Sequence, residues 1–154
     1  MKKWFKIISV ILIIGFIGIQ FVRPDKKNPV TEKARDITSF VHVPAEVMQV
    51  IERSCYDCHS NFTHWPWYSN IAPVSWLVAN DVSEGREHMN FSEWDKNNIT
   101  DQISFLDDIC KRVKKGDMPL GKYTILHPDA KLSDADKQLL CKWANAASDS
   151  LMGN

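Results

Sequence analysis

Hydrophobic positions divide this chain into one continuous apolar run and a series of amphipathic segments. Residues 7–22 are apolar apart from Ser9 and Gln20, behind Lys2 and Lys3. A helix over them reaches roughly 24 Å at about 1.5 Å per residue, slightly short of a hydrocarbon core. Trp4 and Phe5 extend it into an interface. The run ends Gly18-Ile19-Gln20-Phe21-Val22, without the small-residue pattern of a cleavage site. The expectation is an uncleaved signal anchor, one N-terminal transmembrane helix over residues 1–22. A cleaved peptide and a buried core helix are the alternatives. Residues 23–41, with Pro24, Pro29 and mostly polar side chains, are expected to be a flexible tether without a stable element.

From residue 42 to 154 the pattern is helical throughout. Pro44 suits a first helical position, and Val43, Val47, Val50 and Ile51 follow at helical spacing. That helix runs directly into Cys55. Pro73 opens a second helix with Val74, Leu77, Val78 and Val82 inward. Ser92-Glu93-Trp94-Asp95 resembles a capping box. It leads to a long helix whose stripe is Ile99, Ile103, Leu106, Ile109, Cys110 and Val113, stopped by Gly116. Ser133 and Asp136 signal the start of a terminal helix with Leu139, Leu140, Trp143 and Ala147 inward. No run alternates as a strand does, so the fold class expected is all-α.

Composition narrows the function. Formal charge is zero overall and slightly acidic beyond Lys2, Lys3 and Lys6. A nucleic-acid partner, which needs a basic face, is not expected. Six Trp are many for this length, and rings of that size suit packing against a flat cofactor.

The chemistry concentrates at Cys55-Tyr56-Asp57-Cys58-His59, which reads C-x-x-C-H, the c-type haem attachment signature. Two thiols at this spacing can each add to a vinyl group of one haem, with His59 beneath the iron as proximal ligand. Three other readings compete. Zinc could use both thiolates with His59 or His64, but there is no second Cys pair at zinc-ribbon spacing. A thioredoxin-like pair needs a βαβ context. A structural disulfide beside a chance His is the blandest. Cys110 and Cys141 remain. Their even number invites a bridge in an oxidising compartment, but Cys141 aligns with Lys137 and Asn145 on a polar flank, so two free thiols stay open.

The distal ligand expected is Met118, in the Gly116-Asp117-Met118-Pro119-Leu120 loop, because a thioether is a soft ligand for iron. His88, Met89, His127 or an open position are the rivals. Trp65, Trp67 and Tyr68 are expected to wall the cofactor and exclude water. Tyr68, Tyr123, Arg86 and Lys122 are candidates for its propionates.

Beyond C-x-x-C-H-Ser60-Asn61, the chain carries Trp65-Pro66-Trp67-Tyr68-Ser69, Ile71-Ala72-Pro73-Val74-Ser75-Trp76, Glu84-Gly85-Arg86, Asn90-Phe91-Ser92-Glu93-Trp94, Met118-Pro119-Leu120 and His127-Pro128. With these it resembles the bacterial haem-binding domain family of membrane-anchored, cytochrome-c-like proteins, and, more distantly, small monohaem cytochromes c. The resemblance implies a cytochrome-c-like helical domain with one haem c per chain. Cys55 and Cys58 would carry the thioethers, His59 would be proximal and Met118 distal. Cys110 and Cys141 have no counterpart in it. The function expected is a membrane-tethered electron carrier serving redox partner proteins, rather than a catalyst. It would sit in the inner membrane by a single span, with the haem domain on the periplasmic side. A haem-based sensor and a peroxidase-type enzyme are the alternatives.

Overall fold

A computed structural model describes residues 2–153, and every regular element among them is helical. The seven α-helices are α1 (Lys2–Ile19), α2 (Ala45–Ser54), α3 (Tyr56–His59), α4 (Val74–His88), α5 (Ile99–Lys115), α6 (Gly121–Leu126) and α7 (Asp134–Met152). Short 3-10 turns connect them.

The transmembrane helix is the expectation that fails. Helix α1 forms, but it is 18 residues long with Lys2, Lys3 and Lys6 inside it. Its uncharged part, residues 7–19, spans about 20 Å at about 1.5 Å per residue, against about 30 Å of hydrocarbon. Among the described residues no helix is long and apolar enough to cross a membrane. The single-pass span and the inner-membrane placement derived from it are therefore overturned. The end of α1 instead meets the rest of the protein. Gln20 exchanges hydrogen bonds with the Ala72 backbone, its Nε2 donating to the carbonyl at 3.1 Å and its Oε1 accepting from the amide at 2.9 Å. Trp76 Nε1 donates to the Val22 carbonyl at 2.7 Å.

Residues 23–41 also differ from the bare tether expected. Two 3-10 turns form, at Lys33–Arg35 and Ile37–Ser39, the second capped by Asp36, whose carboxylate accepts from the Thr38 amide. Ile37 is fully buried. Asn28 Nδ2 donates to the Thr63 carbonyl at 2.9 Å. Val30, Ile37, Phe40 and Val41 are scattered through a polar stretch without a sustained helical or strand periodicity, which is why the docking is illegible in sequence.

The core is built where α5 and α7 pack side by side, with α2 against α7. Leu106 and Leu140 meet there beside Val47, Ile51, Phe91 and Trp94, all essentially solvent-free. Cys110 of α5 and Cys141 of α7 are joined as a disulfide, and Cys141 is buried rather than on a polar flank. The cap expected at Ser92 lies elsewhere. Residues Phe91–Lys96 form a 3-10 turn capped by Asn90, and α5 starts after Asn98, whose side chain accepts from the Asp101 amide. Ile99 is consequently exposed, and Gln102 is buried in its place, donating to the Trp94 and Asn97 carbonyls. Gly116 ends α5 at φ +81°, a left-handed conformation open to glycine at little cost. Ser133 and Asp136 cap α7 reciprocally, as the sequence predicts.

Candidate functional site

Helix α2 delivers the motif. It ends at Ser54, Cys55 breaks its regular dihedrals, and α3 carries Tyr56–His59 as a single turn. This places Cys55, Cys58 and His59 on the wall of one cavity of about 390 Å³. Both cysteines are free thiols, partly buried. Burial pushes Cys55 up to about 12, with the neighbouring Cys58 adding to it. Burial, then Asp57, pushes Cys58 up to about 11. Both are therefore protonated at neutral pH.

Helix α4 closes over the motif at a point where no side chain fits. A Cβ on Gly85 would lie 2.6 Å from the Cys58 carbonyl oxygen. That approach brings the end of α4 to His59, whose Nδ1 lies 3.1 Å from the Met89 carbonyl oxygen. A carbonyl can only accept, so the ring proton sits on Nδ1 and Nε2 keeps its lone pair. Burial lowers the His59 pKa, partly opposed by the Met89 and Gly85 carbonyls, so the neutral imidazole is favoured.

Met118 lines the same cavity, half-buried. The turn that presents it is pinned to the end of α5, where the Asp117 and Met118 amides both donate to the Arg112 carbonyl. The structure thus brings together Cys55, Cys58 and His59, at the α2–α3 junction and on α3, with Met118 from the turn after α5. Of the rivals, Met89 also lines the cavity, but it is buried in the core at the end of α4, where its carbonyl meets His59 Nδ1. His127 shares a 2.7 Å hydrogen bond through Nε2 with the Tyr68 hydroxyl and stacks on Tyr123. His88 reaches the cavity edge, but its side chain is 55 % exposed and packs edge-on against Phe105.

The Trp-rich loop is only partly as expected. Tyr68 lines the cavity, whereas Trp65 and Trp67 do not. Trp65 is committed elsewhere, its Nε1 donating to Asn28 Oδ1 at 3.2 Å. The 3-10 turn Trp67–Asn70 sends Trp67 outward, 75 % exposed. Among the propionate candidates, Arg86 is consumed internally. It donates to the Ser60 and Lys27 carbonyls, to Asn28 Oδ1 and to Thr63 Oγ1. Lys122 pairs with Asp81 at 2.8 Å on the cavity wall, and the Tyr123 hydroxyl donates to Asp57 at 2.8 Å. Zinc finds no cage here. His64 is exposed and tied to Asp57, and no cluster of three His, Cys, Asp or Glu side chains able to hold a metal occurs among the described residues.

The cavity suits a large, flat, mostly apolar group. Val74, Leu77 and Leu126 line it although they are 39 %, 49 % and 58 % exposed, so their apolar surface is left for an occupant to cover. Ser54, 7 % exposed, lines the same space with a hydroxyl that has no hydrogen-bond partner. An orphaned buried hydroxyl is costly unless something else meets it. Sequence reasoning missed Ser54, the Met89 carbonyl and the role of Gly85. Gly85 alone carried a signal, as a glycine inside a helix.

A haem-binding domain family model matches residues 14–146. No curated protein matches the chain, and no solved structure does.

Proposed function

The chain belongs to the haem-binding domain family, and on that premise we propose that it holds one haem c and serves as a one-electron carrier for redox partner proteins. The observation that carries the reading is the convergence on one cavity of two free thiols, an imidazole with its Nε2 lone pair available, and a thioether. In this reading Cys55 and Cys58 attach the group through thioethers. His59 Nε2 and Met118 would hold the iron. Val74, Leu77, Leu126 and Tyr68 cover the faces and keep water out.

When bound, such a haem supplies a one-electron iron couple. The chain's own part would be to hold the His59 imidazole and the Met118 thioether still, so that little rearranges when the charge changes. His59 is steadied by the Met89 carbonyl, and Met118 by the end of α5. An apolar shell raises the cost of net charge and so tunes the potential. Tyr123 donates to Asp57 within the motif, which steadies the single turn between the two cysteines.

Covalent attachment is tested on the purified full-length chain. Haem that stays with the chain after denaturation and acidified organic solvent supports the thioethers, and haem that extracts overturns them. Ligation by Met118 is tested separately. The oxidised spectrum is expected to show the Met–iron charge-transfer band, lost in Met118→Ala. A wild-type spectrum without that band removes Met118 and the carrier reading with it.

A further inference from the structure

Two buried residues outside the ligand set lie beside the His59–Met89 contact. His59 and Met89 lie on different segments, joined by the Nδ1–carbonyl contact at 3.1 Å. Just beyond each of them stands an asparagine, Asn61 and Asn90, 2 % and 8 % exposed. Asn90 Nδ2 donates to Asn61 Oδ1 at 2.8 Å. The same two segments are therefore cross-linked twice, once through the imidazole and once through the paired amides.

The amide pair is itself fixed at both ends. Asn90 Oδ1 accepts from the Ser92 amide at 3.0 Å, capping the 3-10 turn. The Asn61 amide donates to Ser92 Oγ at 3.1 Å, and Asn61 Nδ2 lies 3.5 Å from Glu93 Oε1. Ser92 thus touches both asparagines, and the set closes into a buried ring. Its members cannot shift independently without leaving a buried amide unpaired, which costs about 1–3 kcal/mol. The Met89 carbonyl has no such freedom either, being one residue from Asn90 and at the end of α4.

We propose that Asn61 and Asn90 are positioning residues that hold the Met89 carbonyl on His59 Nδ1 and thereby set how strongly Nε2 donates to the iron. This rests on the haem c reading above. A short, well-aligned bond at Nδ1 makes the ring more basic at Nε2 and favours the oxidised iron. Loosening it weakens that donation and raises the reduction potential.

The test uses the full-length holo-protein. Asn90→Ser keeps a side chain able to cap Ser92 but cannot reach Asn61. Asn61→Ala removes the acceptor from the other side. Each is expected to raise the potential, lowering the oxidised-to-reduced ratio at a fixed electrode potential several-fold to tenfold, at about 59 mV per tenfold for one electron. Each is also expected to speed exchange of the His59 Nδ1 proton seen by NMR. The double variant is expected to go no further than either single, because the pair acts as a unit. Unchanged potential and exchange in a folded single variant, or additive shifts in the double, overturns the proposal. If one variant does not fold, the other carries the same readout. Failure of the haem c reading itself appears separately, as wild-type chain whose haem extracts.

Discussion

Gly85 faces the Cys58 carbonyl so closely that a methyl group in its place would sit 2.6 Å from the oxygen. Helix α4 and the attachment turn are in backbone contact there, and neither can yield to a side chain. Gly85→Ala is expected to cost about 1–3 kcal/mol through overpacking. On the haem c reading proposed above, it should also lower the haem that stays with the denatured chain, because the turn carrying Cys58 must move. Thermal unfolding and haem staining of the denatured chain read the two effects. Unchanged values in both would mean that the contact is slack.

Arg86, the next residue, spreads its guanidinium over four acceptors from the 27–28 stretch and the loop after the motif. Arg86→Ala leaves the Ser60 carbonyl without that donor and is expected to cost about 2–4 kcal/mol. Arg86→Lys should recover less than half, since an ammonium cannot copy the planar fork. Denaturant unfolding of the three proteins decides it, and full recovery by lysine would contradict the geometric argument.

The Cys110–Cys141 bridge closes a loop of 31 residues' separation between α5 and α7. Loop-closure entropy puts its contribution at about 3–4 kcal/mol. The paired Cys110→Ala, Cys141→Ala variant is expected to unfold at correspondingly lower denaturant while keeping its haem, because Cys55 and Cys58 are separate free thiols. Loss of haem from a folded double variant would show instead that the bridge shapes the cavity.

Acid sensitivity is expected at Asp136. Burial alone would raise its carboxyl, but the Ser133 hydroxyl and amide and the Arg53 guanidinium at 2.7 Å outweigh that and hold it below its ordinary 3.8. A folded value below the unfolded one means the unfolded chain binds more protons. The stability from this carboxylate is therefore present above the ordinary value and lost as pH falls through the depressed one. Asp136→Asn should cost about 1 kcal/mol at neutral pH. The gap from wild type should close as the solution is taken below the ordinary carboxylate range. A gap that persists in acid would assign the loss to packing rather than charge.

The helices of the folded part were legible because each buries one stripe against the core. Val47, Val50 and Ile51 on α2, Leu106, Cys110 and Val113 on α5, and Leu140, Trp143 and Ala147 on α7 all turn inward. The pattern misled on α4. There Val74 and Leu77 recur at helical spacing yet are exposed toward the cavity, since a stripe records apolar surface without saying what covers it. It misled again at Ile99, because Gln102 found two carbonyls and took the interior position.

By itself the sequence determined the all-helical class and set out the C-x-x-C-H spacing of Cys55, Cys58 and His59 and the Met-Pro loop at Met118. These are local properties, periodicity and spacing, written in neighbouring residues. The tertiary structure decided the rest. It denied α1 the length to span a bilayer, packed residues 23–41 onto the domain, joined Cys110 to Cys141, and turned Trp65 and Trp67 away from the cavity. It also chose the Met89 carbonyl as the partner of His59, through a backbone atom that no side-chain pattern encodes. Each of these depends on which distant segments meet, and that is settled by packing and hydrogen-bond closure over the whole fold.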